Sequence, residues 1–555
     1  MTDQNKLIAE LLFPDINKTP DYYENFYKQR NLPESAEVTR FAPSPTGYLH
    51  IGSFFTSMIG RRTASNSNGV FFLRIEDTDQ KREIKGAAKI VIEMLNTFGV
   101  SLDEGPLNVN QQDVGVYGPY IQSKRKEIYQ TYAKWLVTKD KAYPCFCTAE
   151  QLEQTREKQR VYKKPTGYYG ENAVCRNLGY KDVKEKIDAG IPFVIRLKSN
   201  GCFENLKKIT VVDEVRGERI FPENFIDAVI LKSNGLPPYN LAHAVDDHLM
   251  RTTLVIRGEE WIASLAEHLE IFSALGFTAP RYAHLPVIQK IEDGKKRKIS
   301  KRKDPEADMR YYLAQGFPIS AIAEYILTLA NSNYELWREK NPTLSYNKFP
   351  FSIKKVTSSS PLFDFAKLND ISKNVISRMT TEEIYTAVLE WAKTNDETFY
   401  KLLTCKKQFA LGVFNMERNL ANPRKDIIRW GMVKDFYSYM FSRAFKVKVS
   451  DFATCYKPED IKGILVAYAT LYNEEDDKQV WFNKIRDLGS TFNFAREVKE
   501  YKKAPENFKG HCGDVSGIIR VAITGRQNTP DLYEICKLLG SKEIAKRLDK
   551  VLKQI

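Results

Sequence analysis

Arg40-Phe-Ala-Pro-Ser-Pro-Thr-Gly-Tyr-Leu-His-Ile-Gly-Ser53 is the stretch on which the reading of this chain turns. Val38-Thr-Arg-Phe41 predicts a short buried strand, which Pro43, Pro45 and Gly47 stop and turn. Leu49, Phe54, Phe55, Met58, Ile59 and Arg62 then recur near helical spacing. That places His50 and Gly52 in the first turn of a helix, where free backbone N–H groups and the positive dipole end favour phosphate. Gly52 allows close approach of a ring or phosphate, and a cationic or hydrogen-bonding imidazole at His50 suits charge developing on a triphosphate. An isolated His-Ile-Gly is common, so this segment needs a second signal.

The second signal is Lys298-Ile-Ser-Lys-Arg302. From Lys290 to Lys303 basic residues dominate, against Glu292 and Asp293, and Asp293-Gly294 marks a turn. Charge alone favours a solvated face or a localisation-like basic patch. Ser300 between Lys298 and Lys301 shifts the balance, because two ammonium groups flanking a hydroxyl on a loop can close over a departing pyrophosphate.

Between these stretches the pattern alternates strand and helix. Val70-Phe-Phe-Leu-Arg-Ile75 suits a buried parallel strand. Ile84, Ala87, Ala88, Val91, Met94, Leu95 and Phe98 form a helical stripe ended by Gly99. This predicts half of a nucleotide-binding α/β sheet, with Pro43–Gly52 and Glu76–Asp79 beyond the carboxyl ends of its strands. An interruption follows, with a helix carrying Ile128, Tyr132, Trp135 and Leu136, a capping box at Thr148 and Gln151, a strand at Ile209–Val212 and a closing turn at Ser233-Asn-Gly235. The sheet resumes with Leu254-Val-Ile-Arg257 and a helix carrying Leu265, Leu269, Phe272 and Leu275 that stops at Gly276. Beyond Lys303 helical spacing prevails, as in Ile384, Val388 and Trp391, or Ile427, Ile428 and Met432. Residues 1–37, with Tyr22, Tyr23, Phe26 and Tyr27, are expected to wrap the next domain.

Bulk properties agree. A chain of 555 residues with 43% hydrophobic content can bury more than one core. Lys plus Arg outnumber Asp plus Glu by 84 to 70, a net charge of +14 that favours a polyanionic partner, nucleic acid first. Eight scattered Cys, no signal-peptide pattern and no long apolar run fit a reducing cytoplasm and no membrane. Cys145-Phe-Cys147, Tyr168, Tyr169 and Cys175 form the arrangement that could hold zinc, with three ordinary reduced thiols as the alternative.

Taken together, the Arg40–Ser53 stretch, Arg74-Ile-Glu-Asp-Thr-Asp79 and Lys298–Arg302 resemble bacterial-type glutamyl-tRNA synthetases, a class I aminoacyl-tRNA synthetase family. The resemblance extends through Val245-Asp-Asp-His-Leu-Met250 and Ile256-Arg-Gly-Glu-Glu-Trp261 to Val515–Arg526. It implies a Rossmann-like α/β catalytic domain in two halves, 38–112 and 236–303, after an N-terminal extension, 1–37. It further implies an α/β insertion, 113–235, for the tRNA acceptor end, a stem-contact region, 304–380, and a mainly helical anticodon-binding domain, 381–555. His50, Gly52, Lys298, Ser300 and Lys301 would be catalytic, and His50, Gly52, Ser53, Lys298 and Lys301 would bind ATP. Arg40, Ala42, Ser44, Glu76, Tyr239, His243 and Arg257 would bind glutamate, with the arginines on carboxylate and Glu76 on the ammonium. Mg²⁺ would accompany ATP. Zinc, found in some members with a Tyr oxygen completing the set, would take Cys145, Cys147, Cys175 and Tyr168, or Tyr169 in its place. Partners would be tRNA(Glu), L-glutamate and ATP, acting on a monomer. Glutamyl-adenylate would form first, often only with tRNA present, and the 2′-hydroxyl of tRNA would then take the glutamyl group.

Three positions depart from the family pattern. His243 stands where Asn is expected, Ser53 replaces a second His, and Ile299 replaces Met. Rival readings are a glutaminyl-tRNA synthetase, against which Arg40 and Arg257 speak, a tRNA-base-glutamylating relative, against which the long C-terminal portion speaks, and a non-catalytic synthetase-like RNA-binding protein, against which His50, Gly52, Ser300 and Lys301 speak.

Overall fold

The computed structural model describes the chain except residues 1, 46, 80–83, 85, 107–112, 419, 422, 442–444 and 453–455. Thr46, inside the opening stretch, and the expected boundary at 112 lie outside the described residues. The chain divides into two compact units, Met1–Tyr311 with Ala323–Asp364, and Tyr312–Ile322 with Phe365–Ile555. Residues 304–380 are thus shared between the two units. Backbone bonding shows one reason: Gln289 N–H donates to Pro361 O at 2.9 Å and Phe363 N–H donates to Gln289 O at 2.7 Å, tying 361–363 to the first unit.

In that unit Val38–Phe41 pairs parallel with Val70–Leu73, and Leu254–Gly258 pairs parallel with Arg281–Leu285. These strands are buried almost throughout, as the near-continuous apolar runs require of parallel strands covered on both faces. The two pairs meet at Val38 and Thr253: Val38 N–H donates to Thr253 Oγ1 at 2.9 Å and Thr253 N–H donates to Val38 O at 3.0 Å. Further along, the Arg40 guanidinium, not a backbone amide, reaches Ile256 O at 3.4 Å. The expected single sheet is therefore two paired sets joined at one end and opened by a side chain at the other. The opening lies at the carboxyl ends of Val38–Phe41 and Leu254–Gly258, where open α/β sheets hold ligands.

Helix Ile51–Asn66 follows the first strand and buries Phe54, Phe55, Met58, Ile59 and Arg62. The next helix runs Ala87–Thr97. Ile84, expected in its apolar stripe, is 52% exposed because left-handed Gly86 precedes the first helical residue. Gly99 closes the helix at φ +71° as expected. Thr148 and Gln151 form the predicted capping box on Ala149–Val161, and Gly276 caps Leu265–Leu275 in the left-handed region.

The insertion has its own antiparallel sheet, Ala142–Cys145, Val194–Leu197 and Val229–Leu231. The strand expected at Ile209–Val212 forms as Lys208–Asp213 with partner Gly217–Pro222, but it joins the sheet of the second half through Asp213 opposite Tyr282. Residues 113–235 are therefore not self-contained. The N-terminal helix Thr2–Leu12 packs on Lys126–Thr138 and Tyr180–Asp188, so the extension covers the inserted part. Tyr23 and Tyr27 are buried there, while Tyr22 and Phe26 stay exposed.

The second unit is helical. Thr381–Asn395 buries Ile384 and Val388 behind a Thr380/Glu383 capping box. Ile427, Ile428 and Met432 do not share an α-helix; only a 3₁₀ turn, Trp430–Met432, forms there. Backbone groups of this segment are taken by other elements, with Ser372 Oγ donating to Ile428 O at 2.5 Å and Trp430 N–H to Gly316 O at 2.7 Å. Among the described residues no helix is long and apolar enough to cross a membrane.

Candidate active site

The opening at the strand ends is a cavity of about 450 Å³. The front stretch lines it with Arg40, Ala42, Ser44, His50, Gly52 and Ser53, and Glu76 comes from beyond the second strand. Tyr239 and Arg257 enter from the second half, and Lys298 and Lys301 from the basic loop. Eleven of the expected residues, separated by up to 261 positions in the chain, thus line one cavity. His243 and Ser300 do not line it.

His50 is the N-cap of Ile51–Asn66: its Nδ1 accepts the Gly52 N–H at 2.9 Å. Burial, reinforced by Lys301 and Lys298, pulls its pKa down to about 4. The ring is therefore neutral near pH 7, with Nδ1 accepting and Nε2–H the donor, drawn toward the Ile299 backbone, so of the two expected forms the hydrogen-bonding imidazole is the one present. A Cβ on Gly52 would sit 3.2 Å from His50 Nδ1, so this cap prefers glycine.

The basic run is a hairpin, Gln289–Glu292 with Lys295–Lys298, turned at Asp293 (φ +50°) and Gly294 (φ +74°). Its charges are sorted by partner. Arg297 donates to Asp304 at 2.6 and 2.7 Å and to Glu292, while Lys290 bonds Glu306 and reaches Asp304 at 3.3 Å. Hydrogen bonding from Arg297 holds Asp304 far below the usual carboxylate range. Asp304 also accepts the Ser300 N–H at 2.9 Å, which with buried Ile299 anchors the segment. Lys298 and Lys301 form no ion pair among the described residues and are exposed, with the Asp308 charge acting on Lys301 from farther off. The Lys301 ammonium rests on Tyr48 O.

Opposite lies a buried charge lattice. Asp247 accepts from Arg40 Nε at 3.2 Å and from Arg74 Nη1 at 2.7 Å, and Arg74 Nη2 donates to Glu76 at 3.0 Å. Burial opposes ionisation of Asp247, but Arg40 and Arg74 hold it well below its ordinary value. Burial raises the Glu76 carboxyl against the pull of Arg74 and Arg40. Fully buried His243 donates Nδ1–H to Asp247 at 2.5 Å, its Nε2 meets Tyr282 Oη at 3.1 Å, and its ring stacks under Tyr239 at 5.3 Å. Burial lowers its pKa to about 3, so it adds no charge near the cavity. It supports Tyr239 from behind instead of reaching the wall.

Arg257 is held differently. Nη1 donates to Tyr239 Oη at 3.1 Å, Nε to His284 Nε2 at 3.0 Å and Nη2 to His268 Nδ1 at 3.2 Å. Asp247, His268, His284, Glu260 and Trp261 are participants that the sequence reading did not assign. Two adjacent acids in a helix that is buried along most of its length, Asp246-Asp247, were the legible signal; the histidines offered none. Trp261, 4.2 Å from the Tyr239 ring, lay inside a recognised motif without a role.

A second cluster lies in the insertion. The sulfurs of Cys145, Cys147 and Cys175 are within 4.8 Å of one another, with Cys147 and Cys175 3.7 Å apart. Tyr168 Oη is 3.3 Å from the Cys147 sulfur and accepts the Cys175 N–H at 3.0 Å. Tyr169 instead donates to Pro165 O at 2.8 Å, so Tyr168 is the tyrosine at this cluster. A hydrogen bond from Cys175 holds the Cys145 thiol low against burial, and Cys175 is correspondingly pushed up. An edge of about 3.8 Å is what a tetrahedral site with Zn–S near 2.3 Å requires.

Comparisons with known proteins give the family. Residues 37–370 match the family described as tRNA synthetases class I (E and Q), catalytic domain, and residues 490–552 match an anticodon binding domain. The chain is 45% identical over 548 residues to a glutamate–tRNA ligase of Clostridium perfringens, covering 98% of this chain and 99% of that one. It is 45% identical over 548 residues to one of Acetivibrio thermocellus, covering 99% and 100%. The crystal structure of a glutamate tRNA ligase from Elizabethkingia meningosepticum in complex with its amino acid superposes with a TM-score of 0.76 at 26% identity, covering 94% of this chain and 99% of that one. The fold is that of a class I tRNA synthetase. Within that class, the chain belongs to the glutamate–tRNA ligase family.

Proposed function

We propose that this protein attaches L-glutamate to tRNA(Glu) in two steps at the cavity between the two strand pairs. The observation that carries the reading is the convergence of Arg40, Ser44, Glu76, Tyr239 and Arg257 with His50, Gly52, Lys298 and Lys301 on one cavity. The first group suits an amino acid with two carboxylates and an ammonium: the Arg257 guanidinium for a carboxylate, Glu76 for the cation, with Arg40 tied to Asp247 behind them. The second suits a triphosphate at a helix start under mobile ammonium groups.

The α-carboxylate of glutamate attacks the α-phosphorus of ATP in line, giving glutamyl-adenylate and pyrophosphate. His50 Nε2–H donates to charge developing on the phosphate, and Lys298 and Lys301 neutralise the leaving group. The Lys301 ammonium, resting on a backbone carbonyl without a carboxylate partner among the described residues, is free to transfer to pyrophosphate. Mg²⁺ accompanies ATP. A terminal ribose hydroxyl of tRNA then attacks the mixed anhydride and releases AMP. Residues 381–555 read the anticodon, and stem contacts come from 304–380. The protein acts as a cytoplasmic monomer.

The insertion cluster would hold zinc through Cys145, Cys147, Cys175 and Tyr168, a structural role distant from phosphoryl chemistry. Metal content of the purified protein and of a Cys145→Ser variant tests this, with one zinc per chain expected and its loss in the variant. The main test is ATP–pyrophosphate exchange and tRNA charging with glutamate or glutamine, each with and without tRNA. Glutamate-dependent exchange is expected. No exchange in any combination would overturn the enzyme reading, and charging with glutamine alone would overturn the specificity.

A further inference from the structure

Arg257 lines the cavity and is 5% exposed, yet among the described residues it forms no ion pair. A buried guanidinium ordinarily takes a carboxylate partner, as Arg40 and Arg74 do through Asp247. Here three N–H groups are satisfied by uncharged acceptors: His284 Nε2, His268 Nδ1 and Tyr239 Oη. Two of the five guanidinium N–H donors remain, and so does the whole positive charge.

Each imidazole is fixed as an acceptor by what it meets on its far side. His284 gives Nδ1–H to Asp213 Oδ2 at 2.6 Å, which forces the lone pair onto Nε2, facing Arg257. His268 gives Nε2–H to Asn240 Oδ1 at 2.9 Å, which leaves the lone pair on Nδ1. Asp213 is itself occupied by the N–H groups of Val215, Arg216 and His284, at 3.0, 2.9 and 3.1 Å. Its negative charge is thus spent on backbone donors and on orienting a ring, one residue removed from the guanidinium. Burial, together with the Arg257 charge, holds both rings below the ordinary histidine range, which keeps them neutral.

We propose that His268 and His284 are positioning residues that present Arg257 to a substrate carboxylate as an un-neutralised cation, and thereby set the preference for an amino acid with a side-chain carboxylate over its amide. This rests on reading the cavity as the glutamate site. A carboxylate in contact with Arg257 would satisfy the same N–H groups but cancel the charge, leaving a site nearly indifferent between acid and amide. The neutral acceptors separate those two functions. They also explain why His268 and His284, 11 and 27 positions from Arg257, are buried polar groups in a unit with apolar alternatives available.

The decisive pair of variants is His268→Asn and His268→Asp. Both place an oxygen where Nδ1 accepts; they share shape and differ in charge. ATP–pyrophosphate exchange is measured on the full-length protein with tRNA, using glutamate and glutamine as the two amino acids and varying ATP separately. His268→Asn is expected to keep the glutamate-over-glutamine preference within about 3-fold, while His268→Asp raises the glutamate KM at least about 10-fold and lowers the preference by about as much, with the ATP KM little changed. Equal losses in the two variants would show a merely structural role and overturn the proposal, as would an unchanged preference in His268→Asp. If either variant melts early by circular dichroism, His284→Gln and His284→Glu repeat the comparison at the second acceptor, with the same outcomes expected and the same ones overturning it. Wild-type protein with no glutamate-dependent exchange would overturn the glutamate reading together with this one. Normal wild-type exchange with indistinguishable acid and amide variants would overturn this one alone.

Discussion

The two walls of the cavity use the same side chains to opposite ends. On one, Arg40 and Arg74 share Asp247, with Glu76 alongside, and the charges close on one another. On the other, Arg257, Lys298 and Lys301 form no ion pair among the described residues, and Arg257 and Lys301 bond to uncharged acceptors. The same division runs through the basic loop, where Arg297 and Lys290 are tied to Asp304 and Glu306 while their neighbours Lys298 and Lys301 reach the cavity. A cation with a carboxylate partner builds the site; a cation without one is available to a substrate. Counting basic residues cannot tell these apart, and distances to acids can.

That distinction can be broken most directly at Asp247. Asp247→Asn leaves Arg40 and Arg74 buried without their shared counter-charge, and a loss of about 3–5 kcal/mol is expected, read as a fall in melting temperature. A variant as stable as the parent would mean the lattice is not structural. Next comes Lys301→Ala. It should slow activation by about 100-fold, with the ATP KM changed by about 3-fold or less, because its contact strengthens only as pyrophosphate departs. Equal losses in ATP affinity and rate would place Lys301 among binding groups.

Acid should act on the histidines that frame both walls. His50 and His243 have folded values near 4 and 3, below the ordinary histidine value, so the unfolded chain takes up protons first. Their contribution is whole above about pH 6.5 and is lost as pH falls toward 4 and 3. Denaturant midpoints measured from pH 8 to 4 should fall most steeply below 6.5, and a flat profile would contradict the burial of neutral rings. The smallest effect is expected at the hairpin turn, where Gly294→Ala at φ +74° should cost about 1 kcal/mol locally, detected as faster proteolytic nicking near 294 with the melting temperature little changed.

Much of this was legible from local chemistry. Pro43, Pro45 and Gly47 ending a strand, His50 and Gly52 opening a helix, Asp293-Gly294 turning a hairpin and Thr148/Gln151 capping a helix all act through neighbours in sequence. The misreadings share the opposite cause. Ile427 and Ile428 looked helical, but the backbone there bonds to Ser372 and Gly316. Lys208–Asp213 looked like part of the insertion, but its hydrogen bonds lead to Tyr282. Ile84 fitted an apolar stripe whose helix begins three residues later.

The amino-acid order therefore singled out residues whose chemistry suits phosphate and carboxylate, because turn geometry, helix starts and side-chain chemistry are written within a few positions. It could not settle the charge state in which those residues are presented. Whether Arg257 keeps its charge depends on two rings 11 and 27 positions away, and whether Arg40 loses its own depends on a carboxylate 207 positions away. Electrostatic pairing acts through space and strengthens as water is excluded, so only the folded chain decides which cations are spent on structure and which remain for the substrate.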